Sequence, residues 1–408
     1  MSDTLSSCPF CGLICDDLSA ADGASGCARA ARLFAVPDQG QCLLDGKPVD
    51  LASATRAAAD ILRGAMHPLV AGLACDVTGH RAALDLAERT GAKVDHMNGP
   101  GQFRNWLAFQ DGGWMTTTLS EVRNRADVVV LAGTSAAAFP RFFERCLTPE
   151  SQFGELARRV IVLGGSVSSC PEPFAGTALA IPIPDARLGE LCAVLRARLA
   201  GHSLQAQDVA GVPMAQIDAL VETLRGARYG VLVWNAAELA FPGAELTIQA
   251  MADLVKDLNR STRWSGLPLG GNDGDTSAAQ VCTWCTGYPL RVAFESTGPR
   301  YEPLLFDTRR LLATDEADAL VWIAALDPER TPPETRCPSI VLGRPDMVFE
   351  HAPDVFIPVA VPGVHHAGFM HRMDGVVALP LMARTSSGLP SVAQAITAIE
   401  EELKRAAA

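Results

Sequence analysis

The chain lacks any long hydrophobic run: nowhere do about eighteen apolar residues follow one another, so we expect no transmembrane helix. Its N-terminus has neither a basic region nor an apolar segment, so we expect no signal peptide and a cytoplasmic protein. Positive charge is also scarce, since the net charge is -12 and the pI is near 5.2. This argues against nucleic acid and anionic membranes as partners, because their phosphates attract basic surfaces.

Two common functional motifs are missing as well. The sequence has no G-x-G-x-x-G turn, which argues against dinucleotide binding, and no G-x-S-x-G element of a hydrolase triad. With 48% hydrophobic and 20% charged residues, the composition is that of a globular protein. At 408 residues the chain is too long for one ordinary core, so we expect two or three domains.

Near its start the sequence has four clustered cysteines: Cys8, Cys11, Cys15 and Cys27, spaced C-x2-C-x3-C-x11-C. Four thiolates this close can converge on zinc or on a cubane [4Fe-4S] cluster. Unrelated buried thiols are the alternative, but core cysteines do not usually cluster at a polar, glycine-rich terminus. The uneven spacing is more typical of an iron–sulfur loop than of a zinc ribbon, although it leaves zinc open. We therefore predict one metal centre at these four cysteines.

Behind the cysteines, apolar runs alternate with helix-forming segments. Near-continuous apolar stretches, typical of parallel strands buried on both faces, lie at residues 68–75, 126–133, 159–165, 229–235, 319–325 and 338–343. Amphipathic or alanine-rich segments predict helices at residues 52–64, 78–90, 188–199 and 245–258. This alternation predicts an α/β fold with doubly wound parallel sheets. The two groups of strands predict a cysteine-rich segment at 1–50, a first Rossmann-like lobe at 51–200 and a second at 201–408.

Several motifs, in order, resemble those of formylmethanofuran dehydrogenase B subunits. They are the cysteine motif with Asp-Asp at residues 8–17, residues 119–130 followed by a glycine turn, Thr-Gly-Tyr-Pro at 286–289, Pro-Arg-Tyr at 299–301, and residues 356–363 leading into His-Arg-Met-Asp-Gly at 371–375. The resemblance extends over nearly the whole chain. It implies the molybdopterin-oxidoreductase fold, with two Rossmann-like lobes and a small N-terminal metal-binding loop domain. Members of that family normally carry a [4Fe-4S] cluster and a tungsten or molybdenum pterin.

One departure from the family pattern bears on function. In that family a cysteine or selenocysteine directly before a His-Gly-Pro element holds the redox metal, whereas here residues 95–100 read Asp-His-Met-Asn-Gly-Pro. Met97 therefore occupies the ligand position, and a neutral thioether is a poorer ligand for high-valent tungsten or molybdenum than a thiolate. His96 is the one nearby substitute. We also expect the C-terminal pterin-binding domain of the full-length oxidoreductases to be absent, and therefore no tungsto- or molybdopterin and no catalytic residue.

Three functional hypotheses follow. The first is a non-redox structural subunit of a formyltransferase/hydrolase complex, which transfers formyl from tetrahydromethanopterin to a methanofuran analogue and releases formate. The resemblance implies formyltransferase, metallo-hydrolase and further subunits as partners, and a methanofuran-type carrier bound by the complex. The alternative is an active B subunit of a pterin-dependent formylmethanofuran dehydrogenase, with an unusual ligand set. The third is a carrier-binding or electron-transfer module that uses only the N-terminal metal. Met97 favours the first.

Other candidate residues carry less weight. Cys282 and Cys285 form a second C-x2-C, but no further pair accompanies them, so we expect thiols without metal. The histidines at 365, 366 and 371 would need a carboxylate or a further histidine placed with them to bind a metal, and none is evident. Residues 270–275 resemble a cation loop without the closing glutamate of an EF-hand. We predict that bulky side chains fill the former pterin cavity: Phe103, Trp106, Phe109, Trp114 and Trp284. The spacing of Phe103, Trp106 and Phe109 also fits one ordinary helix face. Phe139, Phe142 and Phe143 are candidates for exposed partner contacts, although a helix packed in the core would explain them equally well.

Overall fold

The structure, a computed structural model, describes residues 5–19, 26–154, 156–164, 174 and 177–405. The strands are β1 (Leu5–Ser6), β2 (Leu18–Ser19), β3 (Cys42–Leu44), β4 (Lys47–Val49), β5 (Pro68–Ala74), β6 (Lys93–Val94), β7 (Val128–Ala132), β8 (Arg159–Leu163), β9 (Leu179–Ile181), β10 (Asp208–Val209), β11 (Val212–Pro213), β12 (Gly230–Asn235), β13 (Trp264–Leu269), β14 (Val292–Glu295), β15 (Gly298–Tyr301), β16 (Ala319–Ala324), β17 (Ser339–Gly343), β18 (Val355–Pro358), β19 (Gly368–His371) and β20 (Ala378–Leu381). The α-helices are α1 (Ala28–Phe34), α2 (Leu51–Gly64), α3 (Val77–Thr90), α4 (Gly99–Gly112), α5 (Leu119–Arg125), α6 (Phe142–Cys146), α7 (Leu188–Leu199), α8 (Met214–Arg225), α9 (Ala244–Leu258), α10 (Asp275–Thr286), α11 (Thr308–Ala313) and α12 (Val392–Arg405).

The chain divides into two compact units. Unit 1 comprises residues 1–99 and 271–408, and unit 2 comprises residues 100–270. The mixed α/β class predicted from the alternating pattern is confirmed. None of the helices formed by the described residues has both the length and the apolar character needed to traverse a bilayer.

Unit 1 is built on a nine-stranded sheet with the order β15-β14-β6-β5-β16-β17-β18-β3-β4. Its middle strands β6, β5, β16, β17 and β18 are parallel, and antiparallel hairpins form both edges. Every residue of β5 and β16 is buried, which explains why these segments read as unbroken apolar runs. The helix α12 packs against α2 and α3 on this unit.

Unit 2 is built on a five-stranded, wholly parallel sheet with the order β13-β12-β7-β8-β9. Its core joins the sheet to the apolar faces of α7, α8 and α9, for example through Leu191, Leu220 and Ile248. A fully buried tryptophan, Trp234, donates from Nε1 to the Asn105 side-chain oxygen at 2.8 Å, so its polar atom is satisfied.

The helices begin and end where local chemistry favours it. Asp50 and Asp76 accept hydrogen bonds from the backbone amides of Ser53 and Gly79, and so cap α2 and α3. The helix α3 ends at Gly91, whose φ of +66° is a left-handed conformation that glycine adopts readily.

The predicted boundaries at residues 50 and 200 do not match the two units. The strand β16, placed in the second lobe by the prediction, pairs in parallel with β5 from the first. The chain thus leaves unit 1 after Gly99 and returns to it at Gly271. The segment 1–50 belongs to unit 1 as well, since β3 pairs with β18. Local patterns identified the strands but carried no signal for which strands pair across the sequence.

Candidate functional site

The first three cysteines lie on a short buried loop of unit 1. Antiparallel pairing of β1 with β2 brings the ends of this loop together. Inside it, the Cys8 amide donates to the Cys15 carbonyl at 2.9 Å, and the Ile14 amide donates to the Cys11 carbonyl at 3.1 Å. The loop therefore gathers Cys8, Cys11 and Cys15, all buried, while half-buried Cys27 precedes α1.

The four cysteines interact electrostatically. Burial is the largest cause that raises the pKa of the Cys8 thiol, and nearby Cys11, Cys15 and Cys27 raise this pKa further. Buried thiolates that repel one another need a cation to ionise together. Among the described residues, however, no three Cys, His, Asp or Glu side chains already stand in a metal-holding arrangement. The donor set fits a metal, and the centre itself stays a prediction.

The cysteine loop is fastened to the rest of unit 1 through its backbone. The Gly12 amide donates to Oδ1 of Asn272 at 3.2 Å, and the Gly12 carbonyl accepts from the Met373 amide at 2.8 Å. Gly271 has φ +81°, and a Cβ there would lie 2.7 Å from the Gly12 Cα. A side chain at 271 would therefore push the loop away, so glycine is required.

Met97 lies in a turn that follows β6, and its side chain packs against apolar neighbours. Its amide donates to the Gly72 carbonyl at 3.1 Å. Its side chain packs against buried apolar residues of unit 1 that include Ile14 and Met370. Met97 therefore lies in a plain turn, with its side chain partly buried against the apolar core.

His96 does not replace the missing ligand. The Asn98 amide donates to its Nδ1 at 3.0 Å, so the ring proton resides on Nε2, which lies 3.2 Å from the Asp273 carbonyl oxygen. Burial, reinforced by His80 and Arg330, lowers the pKa of His96 to about 3. The imidazole is therefore neutral, and both nitrogens already have partners in the fold.

A polar cluster that the sequence only hinted at surrounds this turn. The Asn98 side-chain amide donates to the Asn272 carbonyl at 2.9 Å and to carboxylate oxygens of Asp273 and Asp275 at 3.3 Å each. The guanidinium of Arg330 pairs with Asp273 and donates to the Asn98 side-chain oxygen at 2.5 Å. Burial raises the pKa of Asp275 to about 7. The carboxylates of the apparent cation loop at 270–275 are thus engaged in contacts inside unit 1.

Asp95, the residue before His96, is a second buried polar group at this turn. Asp95 accepts from the amide and hydroxyl of Thr308 at 2.9 and 3.0 Å and pairs with Arg291 at 3.3 Å. Arg291 also pairs with Asp307. Burial raises the pKa of Asp95, and Arg291 opposes that effect. The available signals were two short runs of carboxylates and amides beside glycines, at 95–99 and 272–275.

The second C-x2-C lies on the last turn of α10, with Cys282 buried and Cys285 exposed. A thioredoxin-like motif requires a helix start, where the dipole lowers thiol pKa values. Burial instead raises the pKa of both thiols. Trp284 also lies on α10, and Gly287 ends this helix with φ +86°.

The histidines at 365, 366 and 371 are dispersed. Nδ1 of His365 accepts from the Val361 amide at 3.2 Å, and its Nε2 lies 3.4 Å from Asp38. His366 contacts the neighbouring Ala367 carbonyl at 2.8 Å. His371 packs edge-to-face against Trp284, with ring centroids 5.3 Å apart. The structure does not bring these histidines together as a ligand set.

The predicted aromatic residues have packing roles within their own units. In unit 2, Phe109 contacts Trp106 and Trp114, and Trp114 contacts Trp234, with ring centroids 5.4 to 6.1 Å apart. Phe103 is buried. That these rings fill former cofactor space stays a prediction.

The prediction that Phe139, Phe142 and Phe143 are exposed and contact partners is wrong. All three rings are buried in unit 2, because the turn that leads into α6 directs them inward. Large exposed apolar residues lie elsewhere, and those on or beside the β19–β20 hairpin of unit 1 are Phe369, Val376 and Met382.

The relatives of the chain cover nearly all of it. No family model matches. The B subunit of the tungsten-containing formylmethanofuran dehydrogenase 2 of Methanocaldococcus jannaschii is 31% identical over 398 residues, which cover 90% of this chain and 91% of that protein. The B subunit of the formyltransferase/hydrolase complex Fhc of Methylorubrum extorquens is 32% identical over 368 residues, which cover 88% of this chain and 96% of that protein.

Solved structures agree with these relatives. The formyltransferase/hydrolase complex FhcABCD from Methylorubrum extorquens, solved with methylofuran, contains a chain that matches with TM-score 0.76 and 28% identity, over 90% of this chain and all of that one. Acetylene hydratase from Pelobacter acetylenicus matches with TM-score 0.59 and 10% identity, over 93% of this chain and 64% of that one. That second likeness concerns the fold alone. On the identity and coverage of its relatives, the chain belongs to the family of formylmethanofuran dehydrogenase B subunits.

Proposed function

We propose that this chain is the non-redox, structural B subunit of a formyltransferase/hydrolase complex. The complex moves a formyl group from tetrahydromethanopterin to a methanofuran-type carrier and then hydrolyses it to formate. Neither step transfers electrons, so the complex needs no redox metal. The observation that carries the proposal is Met97, whose partly buried side chain packs against the apolar core of unit 1 at the position where the family resemblance puts the redox ligand.

The surroundings of Met97 support the same reading. A dehydrogenase needs a ligand that is deprotonated or has a free lone pair directed at the metal. Met97 offers a neutral thioether held among apolar side chains, and His96 uses both of its ring nitrogens in hydrogen bonds. Asn98 and Asp273 are tied to Arg330. The polar side chains around Met97 are thus engaged in hydrogen bonds and ion pairs that hold the turn.

The two sheets fit the two Rossmann-like lobes of the molybdopterin-oxidoreductase fold, and the cysteine loop fits its small N-terminal metal-binding module. Cys8, Cys11, Cys15 and Cys27 would hold one structural metal centre, either zinc or [4Fe-4S]. Both candidates accept four thiolates. The mutual electrostatic effect of these cysteines on the pKa of Cys8 supports the assignment.

The partners would be the formyltransferase and metallo-hydrolase subunits, which carry the chemistry. The relative from Methylorubrum extorquens is by name a component of such a complex, and the matched structure is that of the assembled FhcABCD. In this arrangement the present chain supplies a scaffold and contributes no reacting group.

The test is to co-express the chain with its partner subunits and to purify the complex. We expect formate release from formyl-tetrahydromethanopterin without any electron acceptor, and no stoichiometric tungsten or molybdenum by elemental analysis. A complex that omits this chain should lose subunits on size exclusion. Stoichiometric tungsten or molybdenum, together with dye-linked formate oxidation, would instead establish a dehydrogenase.

A further inference from the structure

Arg384 lies against the cysteine loop although it is far from it in sequence. Its amide donates to the Val364 carbonyl at 2.8 Å, which fixes its backbone against a buried residue of unit 1. Its guanidinium Nη2 donates to the Ser6 hydroxyl at 2.9 Å. Ser6 is two residues before Cys8, so the cation lies at the entrance of the loop.

The guanidinium has a fixed orientation. Its Cζ lies 3.9 Å from the centroid of the Phe34 ring, a close cation–π contact. Phe34 packs edge-to-face on Phe10, inside the cysteine loop, with centroids 4.8 Å apart. A planar guanidinium can stack in this way while it donates hydrogen bonds, which a lysine ammonium cannot do.

The position of Arg384 is electrostatically unusual. Burial lowers its pKa, and the negative charge of a Cys8 thiolate acts against that effect. Among the residues that the structure describes, its buried Nε finds no hydrogen-bond partner. A desolvated cation with an unused donor is costly unless negative charge lies close by.

The hydrogen bond to Ser6 also links both ends of the loop. The Ser6 hydroxyl lies 3.4 Å from the Leu18 carbonyl, and Ser6 and Leu18 are paired residues of β1 and β2. By holding Ser6, Arg384 restrains the two strands between which Cys8, Cys11 and Cys15 are suspended.

We propose that Arg384 is a positioning residue and the counter-cation of the metal centre at Cys8, Cys11, Cys15 and Cys27. Four thiolates around a divalent metal, or around an oxidised cubane cluster, leave an excess of negative charge in a buried place. The Arg384 guanidinium offsets part of that charge and at the same time clamps the strands that present the ligands. This inference rests on the metal centre of the proposed function and adds the residue that holds it.

The charge and the clamp are separable by substitution. Arg384→Lys keeps the charge and loses the planar stack, whereas Arg384→Gln keeps a hydrogen-bond donor and loses the charge. Arg300→Met is the matched control, because the Arg300 guanidinium also lies over an aromatic ring of unit 1, Phe306 at 5.5 Å, but pairs with Glu295 and Glu302.

The experiment measures zinc and iron per chain in the purified complex, as a function of added chelator. We expect Arg384→Gln to release metal at a chelator concentration about 10- to 100-fold lower than wild type, the usual effect of removing an outer-shell partner. Arg384→Lys should fall between the two, and Arg300→Met should match wild type. Circular dichroism confirms that each variant is folded.

The outcomes separate the two claims. Metal in wild type and equal retention by Arg384→Gln would overturn the role of Arg384 and leave the metal centre in place. Wild type with neither zinc nor iron would overturn both. Recovery by lysine but not by glutamine is a result that packing alone does not produce. If the metal is an iron cluster, Arg384→Gln should also shift its midpoint potential to more negative values, because removing a nearby positive charge disfavours the reduced form.

Discussion

Ionisation of Asp275 should destabilise unit 1, and its burial sets the size of the effect. Burial raises the pKa of this carboxyl from 3.8 to about 7, although hydrogen bonds from the Gly271 amide and the Asn98 side chain oppose the shift. The folded chain therefore prefers the neutral acid, whereas the unfolded chain ionises this group near its usual pKa.

The stabilising contribution of Asp275 thus falls as the pH rises from about 4 to about 7 and is constant outside that window. Over this window the folded state holds a proton that the unfolded state has lost. A shift of about three pKa units corresponds to ~4 kcal/mol at about 1.4 kcal/mol per unit. Asp275→Asn cannot ionise, and its amide oxygen can still accept from the Gly271 amide, so this part of the pH dependence should disappear.

The assay is urea unfolding of wild type and Asp275→Asn, followed by circular dichroism between about pH 5 and about pH 8. The difference in free energy of unfolding between the two proteins should change by about 3 kcal/mol over this range, in favour of the variant at the higher pH. Asp85→Asn, at an exposed carboxylate of α3, is the control for the exchange of Asp for Asn. A constant difference for Asp275→Asn would mean that the buried carboxyl ionises normally, and the reasoning would fail.

Three further predictions concern function, core and assembly. Met97→Cys should restore no carbon dioxide or formate redox activity in a dye-linked assay, because one thiolate does not rebuild a ligand site that is packed into the core; activity after this single change would revive the dehydrogenase alternative. Arg344→Met should lower the free energy of unfolding by ~3 kcal/mol in thermal melts, because buried Arg344 pairs with Asp346 and donates to the Leu33 and Leu326 carbonyls at 2.9 and 3.2 Å. The control is Arg336→Met, at an exposed position. Equal melting temperatures of the two variants would contradict this role of Arg344. Expressed without partners, the chain should self-associate on size exclusion, because apolar residues such as Phe369 remain exposed; a stable, monodisperse monomer would count against obligate assembly.

The sequence predicted the strands well because their signal is local. The apolar runs at 126–133, 159–165 and 229–235 became β7, β8 and β12, which are neighbours in one parallel sheet. Strands buried on both faces must be apolar throughout, and few other structures produce that pattern in so short a segment. The edge hairpin of β3 and β4 was missed, because its residues are half-buried or exposed and lack such a run.

The sequence failed where the answer depends on distant residues. The phenylalanines at 139, 142 and 143 carry no local signal that separates an exposed patch from a helix packed in the core. Arg384 carried no signal at all, since its contact with Ser6 joins opposite ends of the chain.

The two halves of the candidate site point to one physical picture. Met97, at the position where the family resemblance puts the redox ligand, is partly buried and packs against the apolar cluster that includes Ile14 of the cysteine loop. The loop cannot be discarded in the same way, because Phe10 and Ile14 are buried in unit 1 and the Gly12 backbone bonds to Asn272 and Met373. Removing it would expose apolar surface and leave backbone groups without partners. A metal held by the four cysteines can therefore serve the fold with no electron to carry, since its binding free energy stabilises a loop on which unit 1 depends.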